Sequence, residues 1–241
     1  MSRSVGNPER PHSVQSVVAL PESGGRTRRR LVLPTASATS ATAPAPPAPT
    51  PIGHADMRAH LAEALDAVRC LEDHLGRIDA WAADLAARLT TGGKVLVAGN
   101  GGSAALAQHL TAELVGRYRD DRPAFSALAL HAESSSVTAI ANDYGFEAAF
   151  ARQVEAHGRE GDVLVLLSTS GKSPNLLAAA EVARRQGLLC LAMTGPAPNP
   201  VVSACDDAIA LEVASSPAVQ EAQQVAVHLL CSAFDRRTAT S

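Results

Sequence analysis

Short runs of apolar residues alternate with longer helical segments from residue 94 onward. Five runs are expected to be buried strands, at residues 94–98, 126–130, 163–167, 188–193 and 208–211. Strands that are apolar on both faces and separated by helices are typical of a parallel sheet with helices packed on its two sides. We therefore expect a three-layer α/β domain that ends in a long helix over residues 217–236.

Composition changes sharply near residue 55. Residues 1–54 contain most of the prolines and many Ser, Thr and Ala residues, and such a segment cannot bury enough surface to offset the entropy of ordering it. They are predicted to form a disordered tail ahead of a domain at residues 55–241. The arginine run at residues 26–30 lacks the apolar segment that an export signal needs after it. Alternatively, Met57, which opens the first clear helix, is the true start.

Two loops follow predicted strands and have the composition of anion-binding turns. Ligands of an open parallel sheet bind beyond the carboxyl ends of its strands. The first loop, GNGGS at residues 99–103, has glycines that allow close backbone approach and is followed by a helix with unpaired N–H groups. The second, STSGKS at residues 168–173, has four hydroxyls that can donate to phosphate, and Ser173 is placed to cap the next helix.

Either loop alone is equally well explained as a tight turn or as a helix cap. Two such loops on one sheet favour a phosphate site. Neither sequence fits the P-loop pattern or the dinucleotide fingerprint, so no nucleotide cofactor is expected.

Polar residues recur at helical spacing on two of the predicted helices. His109 and Glu113 stand four residues apart, which places them on one helix face. Gln220, Gln224 and His228 follow at intervals of four on the last helix. Taken singly, a helical Glu is usually solvated and His228 is flanked by apolar residues as a core histidine would be. Together, long side chains from the two helices could converge on one ion or one sugar.

Charge and cysteine usage exclude several classes of function. The formal net charge of −3 gives no reason to expect a nucleic-acid or membrane partner. The four cysteines are far apart and form no CxxC pair, so neither a disulfide framework nor a thiolate metal site is suggested. No apolar run approaches the roughly 20 residues of a membrane helix. A cytoplasmic protein with reduced thiols is expected.

Four segments resemble the sedoheptulose 7-phosphate isomerases, or phosphoheptose isomerases, of the SIS superfamily. They are GNGGSAALAQHLTAELVGRYRDDRP, AIANDYGFEAAFARQVEAHGREGDV, STSGKS and VQEAQQVAVHLL, in consistent order over about residues 57–236. The resemblance implies a flavodoxin-like SIS fold and a homotetramer with sites at subunit interfaces. It also implies an aldose–ketose isomerase that converts sedoheptulose 7-phosphate to D-glycero-D-manno-heptose 7-phosphate by proton transfer through an enediol.

The same resemblance assigns roles to individual residues. Glu113 is expected to be the catalytic base and His228 the catalytic acid. The substrate-binding residues that it implies are Asn100, Gly101, Gly102, Ser103, Glu113, Asn142, Asp143, Ser168, Thr169, Ser170, Ser173 and Gln220. Some members bind zinc through residues that match His109, Glu113, Gln220 and His228, so one zinc ion per subunit is a possible cofactor.

An alternative within the superfamily is a non-catalytic SIS module that binds a sugar phosphate or a partner protein such as a replication initiator. Such modules share a segment like Gln108-His109-Leu110 but differ at the catalytic Glu and the final His, and this chain has both. The chain departs from the isomerase pattern at residues 104–106, which are apolar, and at Lys172. These departures leave the substrate preference open.

Overall fold

A computed structural model of the protein describes residues 53–239. The predicted tail, with its arginine run, lies almost wholly outside the described residues. The first described helix begins at His54, three residues before Met57.

The sheet has five parallel strands in the order β2-β1-β3-β4-β5. Their bounds are β1 Val95–Gly99, β2 Ala127–Ala129, β3 Val163–Ser168, β4 Leu189–Thr194 and β5 Asp207–Ala210. Each boundary lies within one residue of the expected one, so the prediction of a parallel α/β sheet is confirmed. The chain order reverses at β1, which lies between β2 and β3, and the loops that follow β1 and β3 therefore leave from neighbouring strands.

Helices cover both faces of this sheet. They are α1 His54–Arg69, α2 Leu75–Leu89, α3 Gly102–Val115, α4 Ser134–Tyr144, α5 Ala148–His157, α6 Pro174–Arg185, α7 Pro200–Ala204 and α8 Ser216–Thr238, with a 3-10 turn at Cys70–His74. Side chains alternate along β1: Val95 and Val97 pack with α1, α2, α3 and α8, whereas Leu96 and Ala98 pack with α5, α6 and α7. The result is the expected three-layer, flavodoxin-like arrangement.

Trp81 anchors α2 to the edge strand β5. It is the single tryptophan of the chain, it is 2% exposed, and its Nε1 donates to Asp207 Oδ2 at 2.7 Å. Arg77, one helical turn earlier, donates to the carbonyl of Ala208. The position of α2 is thus fixed by directional bonds to β5 as well as by apolar packing.

The α1 stripe of apolar residues is only partly buried within one chain. Val68 packs against the core, but Leu61 and Leu65 are 63% and 58% exposed, and Met57 is also exposed. None of the described helices is long and apolar enough to cross a membrane.

Candidate active site

The two loops expected to bind phosphate meet at the carboxyl edge of β1 and β3. Gly99 at the end of β1 is paired with Leu167 near the end of β3, so the loops that follow are side by side. They enclose a cavity of about 90 Å³, which we call the serine-loop cavity. It is lined by Asn100, Ser103, Leu167, Ser168, Thr169, Ser170, Ser173 and Gln220. All of these except Leu167 were proposed from the sequence as substrate-binding residues.

A larger cavity, of about 400 Å³, lies between α2 and α8. Its lining is partly apolar, and its polar groups include the opposite charges of Asp79 and Arg236. It contains none of the residues proposed from the sequence, so the smaller cavity is the candidate site.

The backbone of the serine loop leaves hydroxyl hydrogens free for a ligand. Ser168 Oγ accepts from the N–H of Gly171 at 3.0 Å, so its own hydrogen can point elsewhere. Gly171 has φ +61°, and a Cβ there would lie 2.0 Å from Asn199 Oδ1, so only glycine fits. Ser173 stands at the N-cap of α6, but its side chain makes no capping hydrogen bond. The expected cap is therefore not formed, and this hydroxyl also remains available.

Two buried amides that sequence reasoning missed hold this edge in place. Asn175, in the first turn of α6, exchanges two hydrogen bonds of 2.9 Å with the side chain of Asn100 and so ties the two loops together. Gln223 on α8 donates to the carbonyl of Met193 at 2.9 Å and lies 3.4 Å from that of Ser168. The ends of β3 and β4 are thereby attached to α8.

The first turn of α3 packs directly against Gln220. A Cβ at Gly102 would lie 2.7 Å from the Gln220 amide, so glycine is needed for this close approach. Gly101, at φ +56°, turns the chain into the helix. The glycines of the first loop thus bring α3 and α8 together beside the cavity.

His109, Glu113 and His228 form a second group, which we call the His/Glu cluster. His109 Nε2 lies 2.9 Å from His228 Nε2 and 3.4 Å from Glu113 Oε1. The facing pair of imidazole nitrogens needs either one shared hydrogen or a cation, since two lone pairs cannot face each other favourably. The i, i+4 spacing on α3 and the crossing of α8 produce the convergence that was expected.

The donor atoms of the cluster fit a zinc ion. They all lie within 4.8 Å of one another, and the three side chains are partly buried. Two imidazoles and a carboxylate form a donor set that zinc uses in proteins. Gln220, the expected fourth ligand, lines the serine-loop cavity, whereas Gln224 Nε2 lies 3.0 Å from His228 Nε2. Gln224 was noted at helical spacing but was not assigned to the site.

Tyr118 is a further member of the site that sequence reasoning missed. Its ring stacks on that of His228, with centroids 5.3 Å apart and planes inclined by 27°. His109 meets the same imidazole edge-on, at 5.1 Å. The His228 ring is therefore held in its plane from two sides.

A buried ion pair joins the ends of the helices that carry the cluster. Arg122 Nε donates to Asp235 Oδ1 on α8 at 2.7 Å, and the two side chains are 1% and 3% exposed. The same guanidinium donates to the carbonyls of Glu113 and Leu114 at the end of α3. Cys231, near Glu113, takes no acid–base role because burial, chiefly, raises the pKa of its thiol to about 12.

Asn142 and Asp143 are not brought into the serine-loop cavity. They lie exposed near the end of α4, where Asn142 Nδ2 donates to Asp143 Oδ1 at 2.8 Å. Glu133 caps this helix through the backbone N–H groups of Ser135 and Ser136. The hydrogen bonds from Ser136 and Ser135 lower the pKa of Glu133 to about 2, so the cap stays ionised at neutral pH.

Comparisons with known proteins show which family the chain resembles. A sequence profile of the SIS domain matches residues 59–195. The chain is 59% identical over 184 residues to the phosphoheptose isomerase of Streptomyces coelicolor, covering 76% of this chain and 77% of that protein. It is 53% identical over 151 residues to the phosphoheptose isomerase of Desulfovibrio desulfuricans, covering 63% of this chain and 72% of that protein.

Comparison with solved structures points to the same family. The phosphoheptose isomerase of Francisella tularensis superposes with a TM-score of 0.72 at 32% identity, over 76% of this chain and 97% of that one. That of Neisseria gonorrhoeae has a TM-score of 0.69 at 35% identity, over 75% of this chain and 97% of that one. From its sequence and its fold, the chain belongs to the phosphoheptose isomerases of the SIS-domain family.

Proposed function

We propose that this sugar-phosphate isomerase converts sedoheptulose 7-phosphate to D-glycero-D-manno-heptose 7-phosphate, a step of heptose biosynthesis. The observation that carries the proposal is that the serine-loop cavity and the His/Glu cluster lie along the same helix. Gln220 at the cavity and His228 in the cluster are eight residues apart on α8, or about 12 Å along its axis. A ketose 7-phosphate likewise carries its phosphate and its carbonyl at opposite ends.

In this mechanism the chain moves one proton between C1 and C2 of the sugar. The serine loop binds the phosphate and fixes the orientation of the rest of the molecule. Glu113 removes the carbon proton, and His228 protonates the oxygen, which gives the enediol. His228 suits the second role because the ring nitrogens of an imidazole can both donate and accept a proton. Tyr118 and His109 keep its ring in place.

Zinc held by His109, Glu113 and His228 would supply a Lewis acid at the sugar oxygens. Glu113 and His228 would then be both zinc ligands and the proton-transfer pair. Each has a second polar atom, a carboxylate oxygen or a ring nitrogen, beside the one that would bind the ion.

The direct test is turnover of sedoheptulose 7-phosphate by the purified chain, with zinc content measured in parallel. We expect the chain to form the aldose 7-phosphate from sedoheptulose 7-phosphate, and to form the ketose when it is given the aldose. Binding of sugar phosphates without any isomerisation of a heptose or hexose phosphate would replace the proposal with a non-catalytic binding module.

Ser173→Ala is expected to raise KM with little change in kcat. A hydrogen bond to a charged phosphate contributes about 1.5–3 kcal/mol, which corresponds to a rise of roughly 10- to 150-fold. Ser173 is the most informative position because its hydroxyl makes no capping hydrogen bond that the substitution would remove. Ser168, in contrast, also accepts a hydrogen bond from the N–H of Gly171. Steady-state kinetics measure the effect, with Ser135→Ala on α4 as the matched control. An unchanged KM would place the phosphate elsewhere.

We also propose that the enzyme is a homotetramer in which the exposed face of α1 is buried between copies. The exposure of Met57, Leu61 and Leu65 supports this, since contiguous apolar residues on a helix usually cover a partner surface. Light scattering is expected to give about four times the chain mass of 24.8 kDa. Leu61→Glu with Leu65→Glu should lower the mass, whereas Glu63→Gln on the same helix should not. A wild type of single-chain mass would contradict the proposal.

We place the activity in the cytoplasm. All four cysteines are free thiols in the structure, as suits a reducing compartment.

A further inference from the structure

Two of the four cysteines are neighbours in the fold although they are 15 residues apart in the sequence. Cys190 lies near the start of β4 and is 1% exposed. Cys205 follows α7 and is partly exposed. Their Sγ atoms are 3.4 Å apart. The spacing of cysteines along the chain gave no indication of this pair.

The backbone on both sides of the pair is fixed by Asp206. Its N–H donates to the carbonyl of Cys190 at 2.9 Å, and its carboxylate Oδ2 accepts from the N–H of Cys190 at 2.7 Å. The segment after α7 is thereby laid along the start of β4. A disulfide needs an S–S separation of about 2.05 Å, so the sulfurs have to approach by only about 1.3 Å.

The two thiols differ in access and in hydrogen bonding. Cys190 donates its S–H to the sulfur of Cys205, and this hydrogen bond, together with burial, raises the pKa of the Cys190 thiol above its usual range. Cys205 is the less buried residue of the two. An oxidant in solution therefore meets Cys205 first, with Cys190 already in contact behind it.

We propose that Cys190 and Cys205 are a reversible oxidation site that forms an intramolecular disulfide in the presence of a peroxide. The Cys205 sulfur attacks one peroxide oxygen, the O–O bond breaks, and the Cys205 sulfenic acid and water (or, from an alkyl peroxide, an alcohol) are formed. The Cys190 sulfur then attacks Cys205 Sγ, the S–S bond forms, and the leaving hydroxide takes the Cys190 proton as water. A dithiol reductant reverses the reaction by exchange.

The position of the pair predicts what the disulfide does. Cys190 lies at the amino end of β4, whereas Ser168 and Thr194 mark the carboxyl edge where the active site lies. Turnover should therefore be unchanged by oxidation. The cross-link restricts the unfolded chain, so Tm should rise by about 6–12 °C for a loop of this length.

The test is treatment of the full chain with hydrogen peroxide, followed by thiol counting, intact mass and peptide mapping. Free thiols are expected to fall from four to two, with a mass loss of two hydrogens and a cross-linked peptide pair containing Cys190 and Cys205. Dithiothreitol should restore all four. Cys70→Ser should still lose two thiols on oxidation, whereas Cys205→Ser should lose none to an internal disulfide.

Three results would overturn the proposal. One is four remaining thiols after peroxide treatment. Another is a disulfide that involves Cys70 or Cys231. The third is conversion of Cys205 to the sulfinic acid while Cys190 stays a free thiol. A Tm that does not rise on oxidation, with the mapped disulfide present, would overturn the stabilising role assigned to it.

Discussion

Glu113→Gln is expected to lower kcat by about 10²–10⁴-fold, because the amide keeps the size of the side chain but cannot accept the carbon proton. The substitution should leave the fold intact, since the Glu113 side chain is partly exposed and pairs with His109, which is 36% exposed. KM should change little because phosphate binding lies at the other end of the substrate. The measurement is steady-state isomerisation, with Glu181→Gln on the exposed face of α6 as the control for the same chemical change.

Zinc content separates the two roles of this carboxylate. If Glu113→Gln loses turnover at unchanged zinc content, proton transfer is the lost function. If zinc is lost and excess zinc restores turnover, the side chain acts as a ligand. His228→Gln should lower turnover by a similar factor. The loss in the double variant should be smaller than the product of the two single losses, because both groups serve one proton path. Near-normal turnover of Glu113→Gln would remove this residue from the mechanism.

Arg122→Met is expected to cost about 3–5 kcal/mol of unfolding free energy. The substitution leaves the Asp235 carboxylate buried without its partner, and also leaves the carbonyls at the end of α3 without a donor. Urea denaturation measures the loss. Arg185→Met is the matched control, because its pair with Glu181 is about 60% exposed on both sides and exposed pairs contribute less than about 1 kcal/mol.

The double variant Arg122→Met, Asp235→Leu distinguishes a buried charge from lost packing. Removing both charges should recover part of the stability, since two apolar side chains can replace a buried pair at little cost. If Arg122→Met lowers the free energy of unfolding by less than Arg185→Met does, the buried ion pair does not hold α3 and α8 together.

The strands could be predicted from the sequence because each is a short apolar run buried on both faces. Helix ends were less well defined. Helix α8 runs over Ser216–Thr238 and is slightly longer at both ends than expected; its C-terminal end was missed because the last turn is polar. The two phosphate loops could be placed at one edge by the general rule for parallel sheets. That they are direct neighbours depends on β1 pairing with β3, which is a long-range choice without a local signal.

The residues that were missed act through contacts between distant segments. Asn175 lies inside a regular helix, where nothing in the sequence marks its contact with Asn100. Tyr118 and Arg122 lie in the irregular segment after α3, which has no periodic pattern from which their contacts could be predicted. The pair of Cys190 and Cys205 could not be predicted for the same reason, since spacing rules detect only short motifs. Curated relatives at 45–59% identity are phosphoheptose isomerases, which favours the enzyme over the non-catalytic alternative.

The chain carries its own optical probe. Because Trp81 is the single tryptophan and is hydrogen-bonded to Asp207, intrinsic fluorescence excited at the indole band reports the docking of α2 on the edge strand. Far-ultraviolet circular dichroism averages over all helices. Coincidence of the two signals during denaturation would establish that the edge of the sheet melts with the rest of the domain, and a separation would reveal that the α2 edge opens first.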